Sequence, residues 1–340
     1  MVMRVVDQLR QLFIKLYFLC HLYILGFAEM ITQLFEDVAY HSSIHGMDLS
    51  AKVAFVTGGT SGIGMAVTRK LCSLGMTVCA AGPHPFTEDA KAELQVYIYN
   101  GTLLYIPLHL DSFHSIEESV TTFRTMFERL DYLINNAGIM LHPYFETEQG
   151  FEGHIGVNLL GHVKLTKLLL PQLNLSEHPR IVNVASSVHR IAPISLLFSG
   201  QFFSNLPFYS SHLAYAMSKL GIILYTLSLA QQLKRLNSKI QSYSVHPGIV
   251  ASSLYERVCA PLQFIQRRLF TPLFFRTIDQ GAVPIINCAL VEHMPYETGC
   301  YIERGIGSIM TSVSPAEKDE LWKIVGQQIH KTGVIKQHSL

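Results

Sequence analysis

Residues 53–64 read Val53-Ala-Phe-Val-Thr-Gly-Gly-Thr-Ser-Gly-Ile-Gly64. Four apolar residues in a row predict a short buried strand, and the glycines after Thr57 end it. From Gly62 the pattern changes to a helical one that runs to Leu74. Glycines at such a strand-to-helix turn let the backbone approach a pyrophosphate, and the helix N-terminus then stabilises its charge. A lone glycine-rich loop is also an ordinary turn. Its place in the first strand–helix unit is what makes it a candidate cofactor cradle.

The same alternation continues outward. Strands are predicted at 77–81, 102–108, 133–135, 180–185 and 240–246, and helices at 115–129, 148–173 and 213–235. Strands alternating with helices imply a parallel sheet covered on both faces. No repeat, low-complexity tract or linker interrupts the pattern. Of the 340 residues, 47–340 therefore read as one α/β domain and 1–46 as a hydrophobic segment with a polar hinge.

Composition excludes several classes. Twenty-six Lys+Arg oppose twenty-five Asp+Glu, a net charge of +1 without the basic excess of a nucleic-acid binder. Six cysteines show no C-x-x-C and no dense framework, and the sixteen histidines form no H-E-x-x-H. No disulfide scaffold or metal site is predicted. Charged residues make up only 15% against 49% hydrophobic, and the mean hydropathy is +0.26. That balance points towards a membrane or a lipid-like substrate.

Residues 12–28, LFIKLYFLCHLYILGFA, are apolar apart from Lys15 and His21. Three readings compete. One is a spanning anchor, for which the run is of borderline length. Another is an interfacial helix with Arg10 and Lys15 snorkelling. The last is a cleaved signal peptide ending near Gly26-Phe27-Ala28, which would make the protein secreted. Met30, Ile31, Leu34, Phe35 and Val38 extend a helical spacing beyond the run. Arg4, Arg10 and Lys15 before it, with Glu29, Glu36 and Asp37 after it, would leave the N-terminus of a spanning helix cytosolic.

Four further motifs carry chemistry. Tyr215-Ala-Met-Ser-Lys219 places a phenol and an ammonium one helical turn apart, where the positive charge would lower the phenol pKa from its usual ~10. A chain of this composition holds about 0.6 Y-x-x-x-K matches by chance, so the motif alone says little. Asn135-Asn136-Ala137-Gly138 and Ile181-Val-Asn-Val-Ala-Ser186-Ser187 each end a predicted strand. Asn158 interrupts an apolar helix, where asparagine is unfavourable without partners. Each is a cap or turn when taken singly.

Taken together and in order, these elements resemble the short-chain dehydrogenase/reductase family across about residues 50–305. The resemblance implies a Rossmann-like, doubly wound parallel sheet of about seven strands and hydride transfer with NAD or NADP. Carried over by position, it implies Tyr215 as catalytic acid/base and Lys219 on the nicotinamide ribose. Ser186 would bind the substrate oxygen, with Ser187 as the neighbouring alternative, and Asn158 would hold a relay water. Gly58, Thr60, Ser61, Gly62, Ile63, Gly64, Asn135, Asn136 and Ala137 would hold the cofactor, as would Pro247, Gly248 and Ser252 after the sixth strand. Family members also form dimers or tetramers, so a homo-oligomer is implied.

Asn158-Leu-Leu-Gly161-His162, Ser186-Ser-Val-His189 and Phe274-Phe-Arg-Thr-Ile-Asp-Gln-Gly-Ala282 resemble the retinol-dehydrogenase-like members. Gly58-Gly-Thr60, Leu74-Gly-Met76, Leu321-Trp322 and Thr332-Gly-Val334 look most like the polyprenol dehydrogenase branch, which acts in dolichol synthesis. That likeness implies a membrane-associated enzyme of the endoplasmic reticulum or lipid droplet. Its substrate would be a polyprenol-type alcohol or its carbonyl partner, with retinol or a steroid as the alternative. A cofactor-binding scaffold without turnover is the non-enzymatic alternative.

Two departures stand out. After the second strand, Gly82-Pro83-His84 offers neither the family's acidic NAD selector nor its basic NADP selector, and no basic residue immediately precedes Gly62. The place of the family's adenine-side aspartate holds His109, with Asp111 two residues on. Residues 194–208 and 254–275 are rich in Leu and Phe and are predicted to cover an apolar substrate.

Overall fold

The computed structural model describes residues 2–36, 38–98, 101–198, 209–251, 275–308 and 314–335. Its centre is an eight-stranded sheet built from β1 (Val53–Thr57), β2 (Thr77–Gly82), β3 (Thr102–Pro107), β4 (Tyr132–Asn135), β5 (Arg180–Val184), β6 (Gln241–Val245), β7 (Tyr301–Glu303) and β8 (Ile306–Ser308). The spatial order is β3-β2-β1-β4-β5-β6-β7-β8. The first seven strands are parallel, and β8 returns antiparallel to β7 through a hairpin. The sheet thus has the seven parallel strands expected plus one short edge strand.

Because β1 lies between β2 and β4, the strand order reverses beside it. A crevice opens there at the carboxyl ends of the strands, which is where open α/β sheets bind nucleotides.

Ten helices lie among the described residues. They are α1 (Val2–Gln33), α2 (Gly62–Ser73), α3 (Glu88–Gln95), α4 (Phe113–Met126), α5 (Gly153–Ile155), α6 (His162–Asn174), α7 (Ile194–Phe198), α8 (Ser211–Arg235), α9 (Ile278–Leu290) and α10 (Pro315–Ile335). One core packs α4, α6 and α8 on one face of the sheet, including an edge-on pair of Phe55 and Phe123. The second core packs α2 and α9 on the other face.

Local signals place the helices. Thr87 caps α3 and is followed by Glu88 and Asp89, which suit the positive helix start. Thr277 and Gln280 cap α9 reciprocally. α8 is largely apolar on every side and long enough to cross a membrane, yet it is buried in the protein except at its Lys234-Arg235 end. It is therefore a core helix.

Three expectations change. α3 was absent from the sequence reading, because its eight residues are mostly exposed and weakly patterned. The helix predicted over 148–173 starts at Gly153 and passes through a π turn (Gly156–Gly161) between α5 and α6. Finally, α1 stops at Gln33, and Leu34 and Phe35 lie in the turn that follows.

Candidate active site

A cavity of about 790 Å³ occupies the crevice. Its walls come from the β1–α2 turn, the ends of β2 to β6 and the face of α1.

Gly58 has φ +65° and Gly62 has φ +52°, backbone conformations that side chains resist. A Cβ on Gly58 would press on Ala137 and Asn136 at 3.1 Å, whereas one on Gly62 would meet nothing within 4 Å. The turn is therefore closed behind Gly58 and open in front of Gly62. Ser61 makes no side-chain cap on α2, so the first N–H groups of that twelve-residue helix face the cavity through Gly62, Ile63 and Gly64. Uncapped amides at a helix start, with empty space before them, fit a pyrophosphate. These residues can hold a dinucleotide.

The turn after β4 is fixed from behind. Thr57 Oγ1 accepts the N–H groups of Asn136 at 2.9 Å and Ala137 at 3.0 Å. His162, fully buried, has its pKa pushed down by burial to about 3. It is therefore neutral. Its Nδ1 lies 3.2 Å from the Asn158 carbonyl, which can only accept, so Nδ1 carries the proton. Nε2 then accepts the Thr57 hydroxyl at 2.9 Å. A chain of hydrogen bonds thus ties the turn to the π turn that carries Asn158.

At the reacting end, Tyr215 and Lys219 sit one turn apart on α8, both buried. Lys219 Nζ is 5.7 Å from the Tyr215 ring centre and donates to the Val184 carbonyl at 2.9 Å. The phenol pKa is not lowered as the spacing alone predicts. Burial pushes it up to about 12, opposed only by a hydrogen bond with Ser186. Burial also pulls Lys219 down to about 8, because the cation loses its hydration. The His154 ring meets Tyr215 edge-on at 6.4 Å between centres and is itself held by Glu152 at 2.7 Å.

The structure brings most of the predicted residues together. Gly58, Ser61, Gly62, Ile63, Gly64, Asn136, Ala137, Ser186, Tyr215, Lys219, Pro247 and Gly248 line the cavity, as does Ser187. Of the two serines, Ser186 is the one bonded to Tyr215. His109 and Asp111 both reach the wall, as do Gly82 and Pro83.

Three predicted residues lie behind the wall. Thr60 faces Gly82. Asn135 is buried in a polar chain with Thr166 and Asn183, and Asn183 bonds Thr226 in turn. Asn158 uses both of its side-chain N–H groups, on the Ile139 carbonyl and Ser218 Oγ, while its Oδ1 accepts from Ile139 N–H. Ser252, residues 199–208 of the first apolar insert and residues 254–274 of the second lie outside the described residues.

Sequence reasoning missed one wall. Leu22, Tyr23, Leu25, Gly26, Phe27 and Met30 of α1 line the cavity. The i, i+4, i+8 spacing of Leu22, Gly26 and Met30 is legible in the sequence and fits an anchor, an interfacial helix, a signal peptide or a buried helix of the fold, and nothing in it assigns this face to the cavity. α1 is held in place by polar groups at its end. Gln33 pairs with both the N–H and the C=O of Ile249. Glu29 is ion-paired with Arg304 at 2.7 Å, and its other oxygen lies 3.5 Å from His246 Nε2. Glu36 is ion-paired with Arg276, which also donates to the Pro247 carbonyl at 3.0 Å.

Residues 52–196 match the family described as short chain dehydrogenase. Human retinol dehydrogenase 12 is 36% identical over 287 residues, covering 82% of this chain and 86% of its own. Polyprenol dehydrogenase of Danio rerio is 34% identical over 314 residues, covering 89% and 93%. Among solved structures, 3-oxoacyl-[acyl-carrier protein] reductase of Brucella melitensis, in complex with NAD, has the same fold, with a TM-score of 0.58 at 21% identity. That match covers 74% of this chain and 95% of the reductase.

The chain belongs to the short-chain dehydrogenase/reductase family. It is an NAD(P)-dependent oxidoreductase acting on CH–OH groups.

Proposed function

We propose that this enzyme interconverts a long lipophilic alcohol and its carbonyl partner at a lipid surface, with a polyprenol-type isoprenoid as the substrate class. The observation that carries the reading is the cavity itself. One lining joins Tyr215, Met140, Leu141 and Ile249 with the apolar side chains of α1. Retinol is the second reading, favoured by the likeness to human retinol dehydrogenase 12.

When bound, the nicotinamide cofactor supplies or accepts the hydride. The uncapped start of α2, with Asn136, Ala137, Pro247 and Gly248, would hold it. The chain's own residues handle the proton. Tyr215, with its pKa raised, is protonated at pH 7 and so is ready to donate to a carbonyl oxygen. Ser186 shares a hydrogen bond with that phenol and would hold the same oxygen as charge develops on it. In the oxidative direction Lys219, while charged, favours the phenolate. Asn158 fixes the Ile139 backbone on the cavity wall, and its place in a proton relay is part of the proposal.

The test is turnover of polyprenol, retinol and a steroid by protein in detergent, followed at 340 nm with each cofactor. Polyprenol should be turned over, and Tyr215→Phe should lower the rate by about 10²–10⁴-fold while the cofactor stays bound. Turnover of retinol or steroid alone would discard the isoprenoid. No turnover of any alcohol or matching carbonyl would discard the reading.

A further inference from the structure

We infer that α1, besides any hold it gives on a lipid layer, is the substrate-selecting wall of the catalytic cavity and its doorway from that layer. The inference rests on the lipophilic-substrate reading above and adds the residues that do the selecting.

Leu22, Gly26 and Met30 form one row on the helix, with Tyr23 and Phe27 beside it, and all five line the same cavity as Tyr215 and Ser186. Tyr23 and Phe27 are also 41% and 51% exposed. They therefore belong to both the cavity and the outer surface, so the opening lies at their side of the helix. Beyond them Ile24 and Ile31 on the helix, with Leu34 and Phe35 in the turn after it, are all exposed and all apolar. A substrate leaving a lipid layer would pass this edge with little exposure of its chain to water.

The wall is held in register with the site. Gln33 is fastened to Ile249, and Arg276 bridges Glu36 to the Pro247 carbonyl. Pro247, Gly248 and Ile249 themselves line the cavity. A Cβ on Gly248 would fall within 2.6 Å of Gln33 Oε1, which shows how closely the helix end approaches that loop. Movement of α1 would therefore move the loop. Glu29, His246 and Glu303 cluster here with atoms close enough for a metal ion. Arg304 and Arg190 already neutralise the two carboxylates, so the cluster serves to dock the helix.

Gly26 is the selecting position. A Cβ there meets nothing within 4 Å, so a side chain at this cavity-lining position starts out in open space. Gly26→Phe should keep cofactor affinity and turnover of a short primary alcohol within about twofold, and lower kcat/KM for a long-chain alcohol by about tenfold or more. Leu16→Ala, on the same helix but outside the cavity, should not do so. A long-chain alcohol bearing a diazirine, photolysed with the protein in nanodiscs, should label residues 22–30 in the wild type and lose that label in Gly26→Phe. Equal long-chain kcat/KM in Gly26→Phe, or labelling confined elsewhere, overturns the inference while the alcohol reaction stands. Labelling of 22–30 without turnover of any alcohol upholds the wall and rejects the reaction.

Discussion

At the scale of single residues, Tyr215 and Lys219 are pushed apart in acidity, up to about 12 for the phenol and down to about 8 for the ammonium. Both shifts come from burial, and the lysine shift has a consequence for stability. In the unfolded chain Lys219 titrates near 10.5, so between pH 8 and 10.5 that chain binds a proton the folded protein lacks. Stability from this group therefore rises with pH across that window, and the full penalty applies below pH 8. Its ceiling is about 3 kcal/mol, offset by about 1 kcal/mol from the bond to the Val184 carbonyl. Lys219→Met should stop turnover yet make the cofactor-free protein about 1–2 kcal/mol more stable at pH 7. That gain should shrink as the pH approaches 10. Denaturant unfolding at pH 7, 8.5 and 9.5 checks it, and a variant less stable at all three would refute the assignment. The motif was legible because residue type and spacing are written in the chain. The direction of the tyrosine shift was not, because it depends on how much water the fold removes. The same holds for Asn135, whose place after a strand was legible but whose side chain turns into the core.

At the scale of elements, the strand–helix alternation was readable because β1 to β5 are short runs rich in apolar residues and bounded by glycine or polar residues, while β6 alternates serine with Tyr243 and Val245. The π turn at Gly156–Gly161 was not, since its cause is tertiary. A Cβ on Gly156 would strike Thr147 and one on Gly161 would strike the Leu110 carbonyl, so the chain there must pass close to its neighbours. The hairpin joining β7 to β8 poses the opposite question. Arg304 and Gly305 have φ +55° and +70°, a two-residue turn that favours Asn-Gly. Arginine is strained there, and its reward is the pair of carboxylates it reaches on the α1 side, Glu29 at 2.7 Å and Glu36 at 2.9 Å. Arg304→Asn should suit the turn while leaving buried Glu29 with His246 alone, a loss of about 1–3 kcal/mol for stripping the partner from a buried carboxylate. The expected result is a faster hydrogen exchange of residues 18–33 with the sheet amides unchanged. Unaltered exchange in α1 would mean that Gln33 and Arg276 suffice to dock it.

At the scale of the whole molecule, the long hydrophobic N-terminal helix has to satisfy two surfaces. Glu29 and Gln33 are buried against the catalytic domain, and Phe18 joins its core. A segment so engaged lies along the protein, which favours the interfacial seat among the three N-terminal readings. Magnitudes agree. Leu12, Phe13, Leu16, Ile24, Phe27, Ile31, Leu34 and Phe35 are each at least 40% exposed. Transfer of about 1 kcal/mol of apolar surface from each gives roughly 8 kcal/mol, enough for micromolar attachment without spanning the bilayer. Deleting residues 2–28 should therefore separate the two roles of the helix from the catalytic fold. The sheet, both cores apart from Phe18, and the cofactor turn lie outside the deletion, so cofactor affinity should hold within about twofold. The protein should move from sedimented vesicles to the supernatant. Turnover of a long-chain alcohol should fall by about tenfold or more, with a short alcohol affected far less, because the cavity has lost its apolar wall. Supplying the substrate in detergent micelles distinguishes the two losses. If micelles restore long-chain turnover fully, α1 acts only by holding the enzyme at the membrane. If they do not, the helix is part of the site.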